Sequence, residues 1–294
     1  MPLDWPYEGA TPLSGDVPRF AQAGSNLCLD FHGDPGVAQV AVFSDGNHHM
    51  ALADALHAFR SRYPEVGDVF YVTTPPRVVV DAMLAGSLAI GHLRLSIRPD
   101  IFIGPANVVA RLRKEGYLAE PTPLAASRGN VMLVRRGNPN QIHGLADLAR
   151  PDVRMFLSNP ATEAASYDIY AGTIRRLAAR IGIDVSFLDG ARGTTSRVVY
   201  GESIHHREAP QCLADGHADV AIVFYHLALR YARIFPELFE FVPLSAEGDP
   251  DQGINRVSAA LTATSGPWGA ELLQFLLSEE VARVYRGHGL VPAR

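Results

Sequence analysis

The residues best suited to chemistry gather where apolar runs stop. The run Val37–Ser44 ends in Ser44-Asp45-Gly46-Asn47-His48-His49, and Asp68–Thr73 ends in Thr73-Thr74-Pro75-Pro76-Arg77. Both turns are short and polar. Ser44, Gly46, Asn47, Thr73 and Thr74 offer hydroxyls and approachable backbone N–H groups, the donors that surround an anion. Thr162, in Asn159-Pro160-Ala161-Thr162, and Tyr225, just past Asp219–Phe224, offer the same further along the chain. A helix that starts at such a turn adds about half a positive charge and unpaired N–H groups.

Arg77 stands in the first turn of the helix opened by Pro75 and Pro76. Turned inward, its guanidinium would grip a carboxylate or phosphate with two parallel bonds; turned outward, it is a surface arginine. The pairs His48-His49 and His205-His206 leave three roles open: contact with an anion, ligation of a transition metal, or structure. Helical neighbours point about 100° apart, so at most one of each pair faces a given ligand. No H-x-x-x-H or H-E-x-x-H spacing marks a dedicated metal site. There is no G-x-S-x-G elbow, Walker loop or G-x-G-x-x-G. No constellation of catalytic roles can be named, so the chain reads as a binder without a cofactor rather than an enzyme.

These groups need elements to position them, and the 294 residues supply a regular series. Val37–Ser44 reads as a buried strand, with Asn47 as N-cap of a helix to about Tyr63. Asp68–Thr73 is a strand, followed by a helix closed at Gly86; Pro99–Gly104 is a strand, followed by the helix Ala106–Glu115. A short strand at Leu27–Phe31 precedes them in a Pro/Gly-rich arm. Strand alternating with helix implies parallel sheets with crossover helices. After the long strand Gly129–Arg136 the alternation restarts. It gives strands at Val153–Ser158, Val185–Leu188 and Asp219–Phe224, with helices near Glu163–Ile181 and His206–Ala214. Phe239–Pro243 and Asn255–Ala263 read as returning strands, and Trp268–Leu276 and Glu279–Tyr285 as closing helices.

Composition sets the outer bounds. Apolar residues make up 47% and charged residues 19%, so a sizeable ordered core is affordable. The net charge of -5, with no basic stripe, argues against nucleic acid. No run of about 18 apolar residues is present, so the chain is not expected to be membrane-embedded. Residues 1–30 carry Asp4, Glu8, Asp16 and several prolines, without the basic and apolar regions of a signal peptide. Cys28 and Cys212 read as buried free thiols, with a disulfide as the alternative.

Five segments in order resemble the molybdate/tungstate-type solute-binding proteins of ABC importers, of type II periplasmic-binding fold. They are ADALHAFRSRYPEV (53–66), VVDAMLAG with RPDIFIG (79–86 and 98–104), NVMLVRRGNPNQIHGLADLARPDVRMFLSNPAT (130–162), ADGHADVAIVFY (214–225) and LLQFLLSEEVARVYRGHGLVPA (272–293). The third is the most specific. Members that take tetrahedral oxyanions usually place small residues, often serines, in the loops after the first two strands; Asp45, Pro75, Pro76 and Arg77 depart from that pattern.

The resemblance implies a two-lobed α/β fold, each lobe a mainly parallel sheet flanked by helices, with a ligand cleft between the lobes. The lobes would be residues 1–126 and 127–242, with 243–294 returning to the first. Hinges would lie near Leu124–Asn130 and Phe241–Ser245. A small anion would be captured by hinge closure, as an oxyanion such as molybdate or tungstate, or a carboxylate or phosphate compound. The ligand-binding residues would be Ser44, Gly46, Asn47, His48, Thr73, Thr74, Arg77, Thr162, His205, His206 and Tyr225. An ABC permease is the implied partner and the periplasm the implied compartment. A cytosolic sensor of the same fold, if Met1 is the true start, and a transition-metal binder through His48 and His205 remain the alternatives.

Overall fold

The computed structural model describes Leu3 and residues 26–28, 30–189, 197–202, 204–246 and 248–293. Two compact units emerge: Tyr7–Ala126 with Arg256–Arg294, termed the terminal unit, and Ser127–Asn255, within the central unit. The N-terminal arm and the side chain of Cys28 lie outside the described residues.

The terminal unit opens with β1 (Asn26–Cys28) and β2 (Phe31–His32), an antiparallel pair. β3 (Val40–Asp45) is buried along its whole length, as expected of a strand covered on both faces. A 3-10 turn, Gly46–His48, leads into α1 (His49–Arg62). Asn47 is therefore not the helix cap; Asp45 caps the 3-10 turn by accepting the Asn47 N–H at 2.9 Å, and α1 begins later. Next come β4 (Val69–Thr74) and α2 (Pro76–Ala85), which ends on Gly86 in the left-handed region. A hairpin of β5 (Leu88–Ile90) and β6 (Leu93–Leu95) follows, then β7 (Ile101–Pro105), α3 (Ala106–Lys114) and β8 (Thr122–Ala126).

The central unit contains β9 (Asn130–Arg135), β10 (Met155–Leu157), α4 (Ala164–Ile181), β11 (Val198–Tyr200), α5 (His205–Ala214), β12 (Val220–Phe224), α6 (Tyr225–Ile234) and β13 (Phe239–Pro243). Val185–Leu188 is not a strand. Asp184 takes both the Ser186 N–H at 2.8 Å and its hydroxyl at 3.1 Å, which folds the segment into a 3-10 turn over Ser186–Asp189. The edge strand is β11 instead. The chain then returns to the terminal unit as β14 (Arg256–Leu261), α7 (Pro267–Leu276), α8 (Glu279–Gly287) and β15 (Val291–Pro292).

Apart from the separate β5–β6 hairpin, the two main sheets are mixed rather than mainly parallel. The terminal sheet has the order β1-β2-β4-β3-β7-β14-β8-β15, with β3 parallel to β4 and β7. The central sheet has the order β11-β10-β12-β9-β13, with β10 parallel to β11 and β12 and β9 antiparallel to β12 and β13. The antiparallel members include the strands that lead into and out of the crossings between units. In this division the second crossing is Asn255–Arg256, not residue 242/243. β13 pairs with β9 from Phe239↔Arg135 to Pro243↔Val131, which keeps that segment in the central unit.

Strand alternation sorts the terminal core into two layers. Val40 and Val42 face Leu52, Leu272 and Tyr285, while Ala41 and Phe43 face Val79 and Val109. Continued by two residues, the same alternation sends Ser44 to the first layer and Asp45 to the second.

The direction of the strands sets where a site can form. Val257, beside the crossing, pairs with Pro105 at the end of β7, and β3 and β4 run with β7. In the central unit Asn130, just past the other crossing, pairs with Phe224 at the end of β12. In each unit, the carboxyl ends of the parallel strands thus lie at the end where the chain crosses. Ligands in open α/β sheets bind outside those strand ends.

Candidate functional site

At the carboxyl end of β3, the Ser44 hydroxyl lies 3.0 Å from the Asp45 carbonyl and 3.1 Å from His48 Nε2. His48 Nδ1 lies 2.9 Å from the Tyr285 hydroxyl. A serine has one proton to give. If Ser44 donates to the Asp45 carbonyl, His48 carries its proton on Nε2 and Tyr285 donates to Nδ1. The Gly46 carbonyl is engaged by His49 Nδ1 at 2.9 Å.

Thr73 and Thr74 close β4 alongside Ser44 and Asp45, their register partners. Thr73 Oγ1 meets His32 Nε2 at 3.0 Å, and that imidazole stacks on Tyr71 at 4.4 Å. Thr74 Oγ1 and Asp45 Oδ2 are buried without a hydrogen-bond partner. Burial pushes the Asp45 carboxyl up to about 6, against the opposing bond from the Asn47 N–H. Pro75 and Pro76 lack N–H groups, and the Val78 N–H is turned back onto Pro75 O, so α2 presents few backbone donors. Arg77 projects outward with 90% of its side chain exposed and pairs with Asp81 at 3.6 Å on the helix surface.

The central unit assembles its strand ends differently. Ser158 follows β10, and its Oγ is buried without a partner. Thr162 is exposed, its N–H bonded to Asn159 O at 3.2 Å. The amides that open α5 already hold carboxylates. Glu163 Oε2 accepts the His205 N–H at 2.9 Å, and Glu208 accepts the Glu202 and Ile204 N–H groups at 2.7 Å each. These carboxylates occupy the place an external anion would take at this helix. Burial raises the Glu163 carboxyl, opposed by the His205 N–H.

His205 is a core residue. Its ring stacks on Phe156 at 5.1 Å and leans on Tyr170 at 5.2 Å. Neither ring nitrogen meets a partner at bonding geometry, and burial lowers its pKa to about 4. His206 is half-buried, and its carbonyl accepts the Tyr231 hydroxyl. Tyr225 starts α6; its N–H bonds to Gly129 O at 2.9 Å, and its ring lies 4.7 Å beneath the Arg128 guanidinium.

Among the sequence-nominated residues, Ser44, Gly46, Asn47, His48, Thr73 and Thr74 come together at one end of the terminal sheet. Arg77 stands out from it. Asp45, Tyr285, His32, Ser158 and Arg128 went unnominated. Asp45 alone carried a signal, as the one acid within the first polar turn.

No group of three or more His, Cys, Asp or Glu side chains that could hold a metal occurs among the described residues. Cys212 is a buried free thiol, pushed up to about 11 by burial. No described helix is long and apolar enough to cross a membrane.

The two mixed α/β units, with their crossing-side strand ends, define the two-lobed architecture of periplasmic binding proteins. The chain belongs to the bacterial extracellular solute-binding protein family, which it matches over residues 40–291. Among solved structures, the periplasmic molybdate-binding protein of Azotobacter vinelandii is similar, with a TM-score of 0.61 and 14% identity over 87% of this chain and 100% of that one. Peb3 of Campylobacter jejuni gives 0.56 and 15%, covering 86% and 99%. The sulfate-binding protein SubI of Mycobacterium tuberculosis H37Rv gives 0.59 and 18%, covering 86% of each chain. At these identities the likeness concerns the fold. No curated protein matches the sequence.

Proposed function

We propose that the chain captures a small anionic solute at its crossing-side strand ends and delivers it to an ABC-type permease from the periplasm. The observation that carries this reading is that Thr74 Oγ1 and Ser158 Oγ are buried without a partner at the carboxyl ends of β4 and β10, with the buried but internally bonded hydroxyls of Ser44 and Thr73 at the ends of β3 and β4. Hydroxyl and amide donors hold an anion without requiring a formal positive charge. Molybdate- and sulfate-binding proteins among the similar structures support an oxyanion as one candidate. A carboxylate or phosphate compound is the other.

Capture would proceed by closure about the crossings at Ala126–Ser127 and Asn255–Arg256. At these crossings Ser127 and Asn255 are joined by Ser127 N–H to Asn255 O at 2.8 Å and by Asn255 N–H to Ser127 Oγ at 2.9 Å.

A thermal-shift screen over molybdate, tungstate, sulfate, phosphate, small carboxylates and divalent metals tests the reading. A true ligand at a hundredfold excess over its dissociation constant should stabilise the protein by about 2.7 kcal/mol. Small-angle scattering should show a smaller radius of gyration with that ligand. Stabilisation by a divalent metal alone would overturn the anion reading.

A further inference from the structure

We propose that Asp45 and Thr74 form an acceptor–donor pair that selects an anion carrying its own hydrogen-bond donor. This rests on the reading that the strand ends hold an anion, and it narrows the class of that anion. The two residues are direct partners in the parallel register of β3 and β4 and share one face of the sheet. Asp45 is 0% exposed and Thr74 is 6% exposed. Asp45 Oδ1 is satisfied by the Asn47 N–H at 2.9 Å, which fixes the carboxyl group and leaves Oδ2 over. Thr74 Oγ1 is likewise left over.

Two leftover polar atoms on adjacent strand ends are costly, because each has given up water without gaining a partner. Burial resists ionisation of Asp45, and among the described residues no guanidinium or ammonium group is paired with it to offset the charge. Around it stand the neutral phenol of Tyr285 on α8, and His48 and His49 just beyond β3. Arg77 and Asp81 on α2 are outward-facing and paired with each other. Above about pH 6 Asp45 is nonetheless ionised; a fully deprotonated oxyanion brings only acceptors, so against Oδ2 it then meets a second negative charge. An anion with an O–H or N–H group donates that proton to Oδ2, while the Thr74 hydroxyl donates to its charged oxygen. Both leftover atoms are then satisfied in one step. The shared chemistry covers a hydrogen oxyanion, a 2-hydroxy acid and a 2-amino acid.

Calorimetric titration at pH 7.5 separates these cases. The probes are inorganic phosphate, glycerate, alanine, sulfate and molybdate, each against wild type, Asp45→Asn and Thr74→Val. At least one donor-bearing probe should bind wild type about tenfold or more tighter than sulfate and molybdate, and the tight probe identifies the source of the donor. Asp45→Asn turns an N–H group toward the ligand, so it should erase or invert that preference. Thr74→Val should weaken every anion. Sulfate or molybdate binding wild type as tightly as every donor-bearing probe would overturn the selectivity while leaving anion capture standing. An unchanged preference in Asp45→Asn would do the same. If no anion binds any of the three proteins, anion capture itself fails, and the selectivity falls with it.

Discussion

His48 Nδ1 and the Tyr285 hydroxyl meet at 2.9 Å, tying the turn after β3 to α8 near the end of the chain. Both groups are buried, so the bond is shielded from water. Burial, with the nearby Asp45 charge adding to it, holds the Tyr285 phenol well above its ordinary range and keeps it neutral. Tyr285→Phe removes the hydroxyl and strands the imidazole nitrogen. The expected cost is about 1–3 kcal/mol. It should appear as a lower urea midpoint with an unchanged slope. An unchanged midpoint would mean that the bond contributes nothing to stability.

Asp45 should lower stability at neutral pH. Its folded pKa is about 6 against an ordinary 3.8. Between these values the unfolded chain has released its proton and the folded chain has not, so stability falls as pH rises through the window. Above about pH 6 the full penalty applies, at most about 3 kcal/mol. Asp45→Asn should therefore raise the melting temperature at pH 7.5 and leave it nearly unchanged at pH 3.5. The same stabilisation at both pH values would contradict the assignment. Stability given up at a buried acid is a common cost of function.

The strands β3, β4 and β12 were legible because each is a continuous apolar run closed by a polar turn. Helix α6 was not, because it starts at Tyr225 directly after Phe224, with no proline, glycine or capping side chain to announce it. The hydroxyls of Ser44, Thr73 and Thr74 at the ends of β3 and β4 could be nominated from position alone, whereas Ser158 at the end of β10 was not. The meaning of Asp45 could not: in the sequence it is a turn residue, and only the packing of β3 against its neighbours removes its water. The His48–Tyr285 bond was out of reach for a related reason, since it joins segments that only the terminal sheet brings together. Arg77 was legible as a first-turn residue but not in its direction, which a helix start does not determine.

His205 should show the opposite pH behaviour to Asp45. Its folded pKa is about 4 against an ordinary 6.5. In that window the unfolded chain binds a proton that the folded core rejects. Its contribution is present in full above pH 6.5 and is lost as pH falls toward 4, by at most about 3 kcal/mol. Over much of this range the Asp45 and His205 slopes offset each other, so wild type alone would reveal neither. His205→Phe keeps the stack on Phe156 and removes two unpaired nitrogens. It should unmask the Asp45 slope, so that stability rises as pH falls from about 6.5 to 4, and stabilise the protein at pH 5 relative to wild type. An unaltered profile would show that the ring is not the buried neutral group described.

Gly253 tests how tightly the central unit is packed close to the second crossing. Its φ is +69°, and an added Cβ would lie 2.2 Å from Thr173 Oγ1 and 2.7 Å from Asn130 Nδ2. Those two groups bond to each other at 2.9 Å, so a methyl group there would drive apart a buried pair as well as strain the backbone. Gly182 provides the control. Its φ is +70°, almost the same, but an added Cβ there meets nothing within 4 Å. Gly182→Ala should cost only the left-handed backbone, about 1–2 kcal/mol. Gly253→Ala should cost that and a further 1–3 kcal/mol or so for overpacking and the displaced bond. The difference between the two urea midpoints isolates the packing contribution from the backbone one. If both variants lose the same stability, the Asn130–Thr173 contact yields freely, and the chain beside the crossing at Asn255–Arg256 is looser than its hydrogen bonds indicate.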